Sequence, residues 1–450
     1  MRALIVLILL ALPASASAAS VEVLRSSTSF LSTPTLAGDH VLVNSYPSPN
    51  AAELLVGAPG EQSRRLLRLT GSTRIIIAAG SGDRVLVRAN DSDSWDLYRG
   101  TVTGSLAKAE SCPRNPDLDF LPGPALDGDL SAWTAEGCVR DRVQVQFGTV
   151  SRTIDVSGLG LGLSAAGHYV AWTSSDGHRS FLTVYDAQAG ATAYSVEVKP
   201  VDRIDVDADG TAVIVPALFN GEHTCGGGFD GYQVTYYTVA QPTAHVVPVK
   251  TCSDSVKIAA GRIAFVEHLA GGGDLLALTD LGATHVQPVA RIDAEPTPIA
   301  LFDYDGSRIA WTQPRCRDSR VLRRDASDTS PEDPAVSCPV KVGAPILRRD
   351  GTLHVAVRCP NGCRPEPGAS KQGIQIVSPH WLHVVSKRGS TVRYAPFVKV
   401  DLTAGRRTVV RLPLTSHQRA LLRSRRRVSV RLKLLMQNVY LPRLARTAHA

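Results

Sequence analysis

The sequence predicts an all-β protein: a seven-bladed β-propeller of four-stranded blades, followed by a small Ig-like β-sandwich. Three observations predict it. A strand, a Gly-containing turn and a second strand recur in seven copies, spaced like propeller blades, which run to about 40–45 residues. No sustained helical periodicity precedes residue 410, which argues against a helical repeat. Beyond residue 338 the charge balance reverses and several short strand-like runs follow closely, the pattern of a small sandwich.

The first element is a leader. Arg2 precedes an apolar run, Ala3 to Leu12, that Pro13 breaks, and Ala16-Ser17-Ala18 fits a small-residue cleavage site. Residues 1–18 are therefore expected to be a signal peptide, with the mature start near Ala19 and a secreted or envelope-associated location. The run is too short to span a bilayer, which takes about 20 residues, and no second long apolar segment follows. No transmembrane helix is expected in the mature chain.

The repeat comes next. Its copies are "TLAGDHVLV" at Gly38, "AGSGDRVLV" at Gly82, "ALDGDLSAW" at Gly128, "SAAGHYVAW" at Gly167, "DADGTAVIV" at Gly210, "IAAGRIAFV" at Gly261 and "DYDGSRIAW" at Gly306. The glycines lie 44, 46, 39, 43, 51 and 45 residues apart. Gly, Asp and Asn supply the positive φ that tight hairpins need. A second hairpin follows in most units, as in "LTVYDAQAGATAYSVEV". The seventh unit has strands "PIALFDYD", "SRIAWTQ" and "RVLRRDA" and then runs into the polar "SDTSPED". The mature N-terminus offers the missing strand, "VEVLRSST". Pairing it into the last blade closes the ring and removes two open edges. The predicted division is a propeller over 19–326, a linker over 327–337 and a basic β-sandwich over 338–450.

Units of the form small-x-D-G-x-x-hydrophobic-Ala-Trp, followed by "LTVYDAQAG", resemble the TolB/WD40-like propeller repeats of exported bacterial proteins. The likeness covers residues 21–335 and implies the fold. The G-H and W-D signature of true WD40 repeats is absent, so no WD40 partner is carried over. The tail "CP…VRCPNGC…LLRSRRR" resembles, more loosely, C-terminal sandwich modules of secreted actinobacterial-type proteins.

The charge split is the next signal. Residues 338–450 hold 22 Lys and Arg against three acids, whereas residues 1–337 hold 27 against 38. An acidic propeller is thus joined to a strongly basic module. Its strand candidates are "TLHVAVRC", "GIQIVS", "WLHVVS", "YAPFVKVDL", "RTVVRLPL" and "RVSVRLKLLM", with a short helix expected from the capping box at Thr415 to Gln418. The cluster Arg423, Arg425, Arg426, Arg427, Arg431 and Lys433 reads equally as a polyanion patch or as a solvated charged face. Export argues against nucleic acid. The counterpart this cluster suggests is an anionic envelope polymer, an anionic lipid surface or the protein's own acidic propeller, and the partner expected for the protein as a whole is an unknown protein or an envelope glycopolymer.

Chemistry is thinly signalled. Eight cysteines suit an oxidising compartment, and neighbours along the chain suggest Cys112 with Cys138, Cys225 with Cys252, Cys316 with Cys338, and Cys359 with Cys363. Spacing alone leaves 105 connectivities open, and zinc at His223 and Cys225 is the minor alternative. No G-x-S-x-G nucleophile motif occurs. "DVDADG", Asp205 to Gly210, matches half of an EF-hand loop, but Pro216 stands at the twelfth position. A hairpin turn is the preferred reading there and Ca²⁺ the alternative, so no cofactor is expected. Trp133, Trp172 and Trp311 recur in register as core residues, while Trp95 and Trp381 lie outside it and are candidates for stacking on a sugar. The long insertion carrying Glu222, His223, Phe229 and Tyr232 reads evenly as a binding lip or as a structural Gly-rich loop. These features lead to the expectation of an exported, non-enzymatic binding or scaffolding protein, with the propeller as recognition platform and the basic domain as an envelope or polyanion tether; the alternative is an extracellular propeller-type lyase or glycosidase with its active site in the central channel. No catalytic residue is assigned.

Overall fold

A computed structural model describes most of residues 20–335, except 27–29, 49–50, 71–74, 91–93, 114–121, 135–137, 140, 217–230, 252–255, 270–273, 293–301 and 316–317, together with separate strands beyond residue 340. Seven four-stranded antiparallel sheets form a ring, the seven-bladed propeller that the repeat spacing predicts. The innermost strands of blades 1 to 7 are Phe30–Ala37, Ile75–Ser81, Ala125–Asp127, Leu159–Ala166, Val201–Val206, Lys257–Ala259 and Phe302–Tyr304. Each is the first half of a repeat copy, and all seven repeat glycines take positive φ, from 51° to 88°. In blade 4 the pairing of Ala166 with Tyr169 leaves only Gly167 and His168 to turn the chain, a geometry that a residue with a Cβ resists.

The ring closes as the sequence implies. Strand Val21–Ser26 pairs antiparallel with Ser319–Asp325, supplying the outer strand of blade 7. Val23 and Leu24 are buried there with Val41, Val43 and Val321 of the adjoining strands. Arg320 adds an ion pair to Glu22 at 2.7 Å.

Blades hold each other through apolar faces whose alternation comes from the strand period of two. Trp133 and Trp172 share one buried cluster across blades 3 and 4. Trp311, fully buried, packs against Ala264, Leu276, Leu278 and Val289 of blade 6. Burying each large apolar side chain stabilises by roughly 1.5–3 kcal/mol, so the inter-blade seams carry the fold.

After the last propeller strand the chain does not leave at once. Asp333 inserts beside blade 6 as a parallel bridge to Ala290. The Arg324 guanidinium is almost wholly buried and donates to the carbonyls of Val289, Asp328, Ser330 and Pro331. Gln287 donates to Asp328 O at 2.6 Å and Arg291 to Glu332 Oε1 at 2.9 Å. The start of the expected linker is thus a strap docked on the propeller.

Beyond the strap, each strand candidate of the basic region contains an observed strand. Thr352–Arg358 pairs with Arg407–Pro413, Leu382–Val385 with Thr391–Tyr394, and Ile374–Val377 with Lys399–Leu402. Arg427–Leu432 pairs with both Leu382–Val385 and Leu444–His449. The expected helix after Thr415 lies outside the described residues.

Candidate functional site

The concentration of charge that spans most blades lies around the ring axis. Inner-strand residues that pair with Ala171, Val213, Ala264 and Ala310 are Ser164, Asp205, Lys257 and Asp303. The corresponding positions in blades 1 to 3, paired with Leu42, Leu86 and Ala132, are Thr35, Ala79 and Ala125. At this level blades 1 to 4 therefore carry uncharged residues, and blades 5 to 7 carry two carboxylates flanking an ammonium.

These groups join in a chain. Ser164 Oγ of blade 4 donates to Asp205 Oδ1 of blade 5. Asp205 Oδ2 accepts from the Ile258 N–H of blade 6 at 2.8 Å. Lys257 Nζ lies 3.9 Å from Asp205 Oδ1 and 3.3 Å from Asp303 Oδ1. Asp303 Oδ2 then accepts from the Leu36 N–H of blade 1 at 2.8 Å. Five blades are linked in sequence.

The electrostatics fix what the arc can do. The Asp205 carboxylate raises the Lys257 pKa above the usual lysine value, outweighing burial, with Asp303 adding to the effect. Burial pushes Asp205 upward, against the pull of Lys257, Ser164 and the Ile258 N–H. Asp205 and Asp303 keep only 9% and 14% of their side-chain surface, whereas Lys257 keeps 36%. The ammonium is thus the group offered to a ligand, as a donor and not as a base.

The neighbouring aspartates serve the seams. Asp207 accepts from the Ala260 and Gly261 N–H groups of blade 6, at 3.1 and 2.7 Å. Asp127 accepts from the Gly167 N–H of blade 4 at 2.7 Å. Asp209 caps its own turn through the Thr211 N–H. The half EF-hand of the sequence is therefore a turn whose carboxylates face N–H donors. Among the described residues no group of three His, Cys, Asp or Glu is placed to hold a metal.

The remaining expected residues fall as follows. Cys112 and Cys138 are disulfide-bonded, joining blade 2 to the segment after the second strand of blade 3. Cys225, Cys252, Cys316, Cys338, Cys359 and Cys363 lie outside the described residues, as do Glu222, His223, Phe229 and Trp381. Tyr232 is a buried strand residue packed with Val213 and Val247, a core group and not part of a lip. Trp95 is also corrected: it is 2% exposed, cross-strand from Cys112, with the Arg88 guanidinium 5.8 Å from its ring, and offers no face to a sugar. Arg423, Arg425, Arg426 and Lys433 lie outside the described residues, while Arg427 and Arg431 sit on strand Arg427–Leu432.

Sequence reasoning missed the arc. Its signal was a charged inner-strand residue in three consecutive copies, five, four and three residues ahead of the repeat glycine, visible only once the strands are in register.

No family model and no curated protein matches the chain. Solved structures similar to it include prolyl endopeptidases characterised for inter-domain dynamics, at 17% identity and a TM-score of 0.45, covering 76% of this chain and 54% of that one. A puromycin-hydrolysing peptidase of Mycobacterium tuberculosis is similar at 12% identity and a TM-score of 0.40, covering 76% and 60%. The β-propeller domain of the Trilobed protease from Pyrococcus furiosus is similar at 12% identity and a TM-score of 0.40, covering 68% and 99%. The likeness is one of fold. The chain spans between half and two thirds of the first two proteins. All three come from proteases or peptidases, and not from the non-enzymatic binding or scaffolding proteins that the sequence led us to expect. None of the three is a lyase or a glycosidase either.

Proposed function

We propose that the chain serves the hydrolysis of peptide or aminoacyl-amide bonds, with the propeller receiving the substrate at the axial arc. This substrate class is our reading of two names, prolyl endopeptidases and a puromycin-hydrolysing peptidase. The observation that carries the reading is Lys257: an ammonium kept charged by two nearly buried carboxylates, with a third of its own surface open. A substrate carbonyl accepting from it gains a charge-assisted hydrogen bond, about twice as strong as a neutral one. A lysine held protonated orients a substrate and does not abstract its proton. The role assigned to this arc is therefore substrate holding. The TolB-like repeat pattern and the Arg2–Ala18 leader support an extracytoplasmic setting for this activity.

The test pairs hydrolysis of a fluorogenic peptide and aminoacyl-amide panel with calorimetric titration of short peptides. Wild-type protein is expected to bind members of the panel, and Lys257→Met to lose that binding while keeping its far-UV circular dichroism. Wild-type protein that neither binds nor cleaves any member overturns the reading.

A further inference from the structure

The strap holds a second, unrelated anomaly. The backbone of Asp333 is fully engaged: its N–H donates to Val289 O at 3.0 Å and its carbonyl accepts from the Arg291 N–H at 2.8 Å. Its carboxylate is not. The residue is 3% exposed, yet neither Oδ1 nor Oδ2 has a hydrogen-bond partner. Buried carboxylates are ordinarily paired or bound to a cation, because leaving water uncompensated is expensive.

A third orphan acceptor is close along the structure. Gln313 Nε2 donates to the carbonyl of Pro334, the residue after Asp333, at 3.2 Å. Gln313 is 2% exposed, and its Oε1 accepts from nothing. Gln313 stands two residues from Trp311 on the same face of its strand, the face packed against blade 6. Asp333 bridges to Ala290, which belongs to that same buried cluster. Three unpaired oxygens therefore belong to two residues whose segments meet at the seam between blades 6 and 7, joined there by the Gln313 to Pro334 hydrogen bond. The guanidinium nearest by bonding does not serve them. Arg324 shares the acceptor Val289 O with the Asp333 N–H, but its Nη groups donate to four carbonyls, and its Nε, 3.6 Å from Asp328 Oδ2, makes no hydrogen bond.

We propose that Asp333 and Gln313 form a binding site for a small hard cation of the Ca²⁺ class. A carboxylate and an amide oxygen are the ligand types such ions prefer, and backbone carbonyls and water complete their usual six to eight oxygens. Asp333 and Gln313 offer oxygen at their unpaired atoms, whereas softer metals prefer imidazole or thiolate. The ion pins the strap to the propeller, because Gln313 belongs to blade 7 and Asp333 to the strap. Its role is structural and independent of the axial arc.

The full chain is treated with a chelator and dialysed, then titrated with CaCl₂, with MgCl₂ and NaCl in parallel, by calorimetry and by thermal unfolding. Ca²⁺ is expected to give a saturable heat and a Tm rise of several degrees. Asp333→Asn and, separately, Gln313→Leu remove both responses, while Glu332→Gln, whose carboxylate faces Arg291, keeps them. Three outcomes overturn the site: no cation alters wild-type Tm or gives heat; the response survives both substitutions; or chelated Asp333→Asn is more stable than Ca²⁺-saturated wild type. The last outcome marks the carboxylate as an uncompensated buried charge. Gln313→Leu keeps the test decisive if Asp333→Asn fails to fold.

Discussion

Lys257 Nζ stands 3.3 Å from Asp303 Oδ1 across the boundary between blades 6 and 7, while Asp303 Oδ2 accepts from the Leu36 N–H of blade 1. One ammonium thus anchors a carboxylate that bridges the final seam of the ring. The same ammonium faces Asp205, which bridges blades 5 and 6 through Ile258. Repulsion between two nearly buried carboxylates is offset by the cation between them, so the arc is both a seam and an exposed donor. Structural and substrate-holding roles separate by readout: stability reports the first and ligand affinity the second.

Lys257→Met is expected to destabilise by about 1–2 kcal/mol, below the 3–5 kcal/mol typical when a buried pair loses one member, because the ammonium is partly exposed and screened. The pH dependence has a definite sign. The folded-state pKa of Lys257 is raised, so folding favours its protonated form. Its contribution is complete below the ordinary lysine value near 10.4 and fades as pH climbs above it. Thermal unfolding followed from pH 8 to 12 should show a steeper alkaline loss in wild type than in Lys257→Met. Parallel curves would remove Lys257 from the stability account.

Ring closure rests on apolar burial more than on its ion pair. Leu24 is 4% exposed in the seam with Val41, Val43 and Val321. Leu24→Ala is expected to cost about 2–4 kcal/mol. Glu22 meets Arg320 near the surface, and Glu22→Gln should stay within about 1 kcal/mol. Urea midpoints of the two variants order these effects, and a larger loss for Glu22→Gln would reverse the account.

The repeat glycines are not equivalent. Gly38 and Gly128 both take positive φ, at 57° and 51°. A Cβ at Gly38 would lie 2.6 Å from Gly82 O of the next blade, whereas one at Gly128 meets nothing within 4 Å. Gly128→Ala should therefore cost only the backbone term, about 1–2 kcal/mol. Gly38→Ala carries a backbone clash as well and should lose clearly more, again read from urea midpoints.

The strands, the blade count and the closing strand were legible because each depends on local signals: period-two alternation, a Gly turn, and an unpartnered strand at the mature start. The arc was not legible in the same way. Asp205, Lys257 and Asp303 are 52 and 46 residues apart, and only strand register shows that they share one level. Asp205 sits in a string of acids that imitates a cation loop, while its partners lie in blades 4 and 6. Trp95 misled for a related reason. It lies outside the tryptophan register of the repeat, but Cys112 across the strand and Arg88 at its ring enclose it. Tertiary neighbours decide such cases, and spacing does not carry them.

The cysteine pairing can be tested against the same geometry. Cys112–Cys138 links positions 26 residues apart and joins blade 2 to blade 3. Losing it through Cys112→Ser with Cys138→Ser should cost about 2–4 kcal/mol. Cys316 and Cys338 lie outside the described residues, but the Gln313 to Pro334 hydrogen bond joins chain segments three and four residues from them. Neighbouring segments in space favour bridging those two cysteines over more distant partners, since a disulfide requires Cα atoms within about 7 Å. Non-reducing peptide mapping by mass spectrometry is therefore expected to find Cys316 joined to Cys338. A peptide joining either one to Cys225, Cys252, Cys359 or Cys363 would show that the strap is fastened by the Arg324 and Gln313 contacts without a covalent clasp beside them.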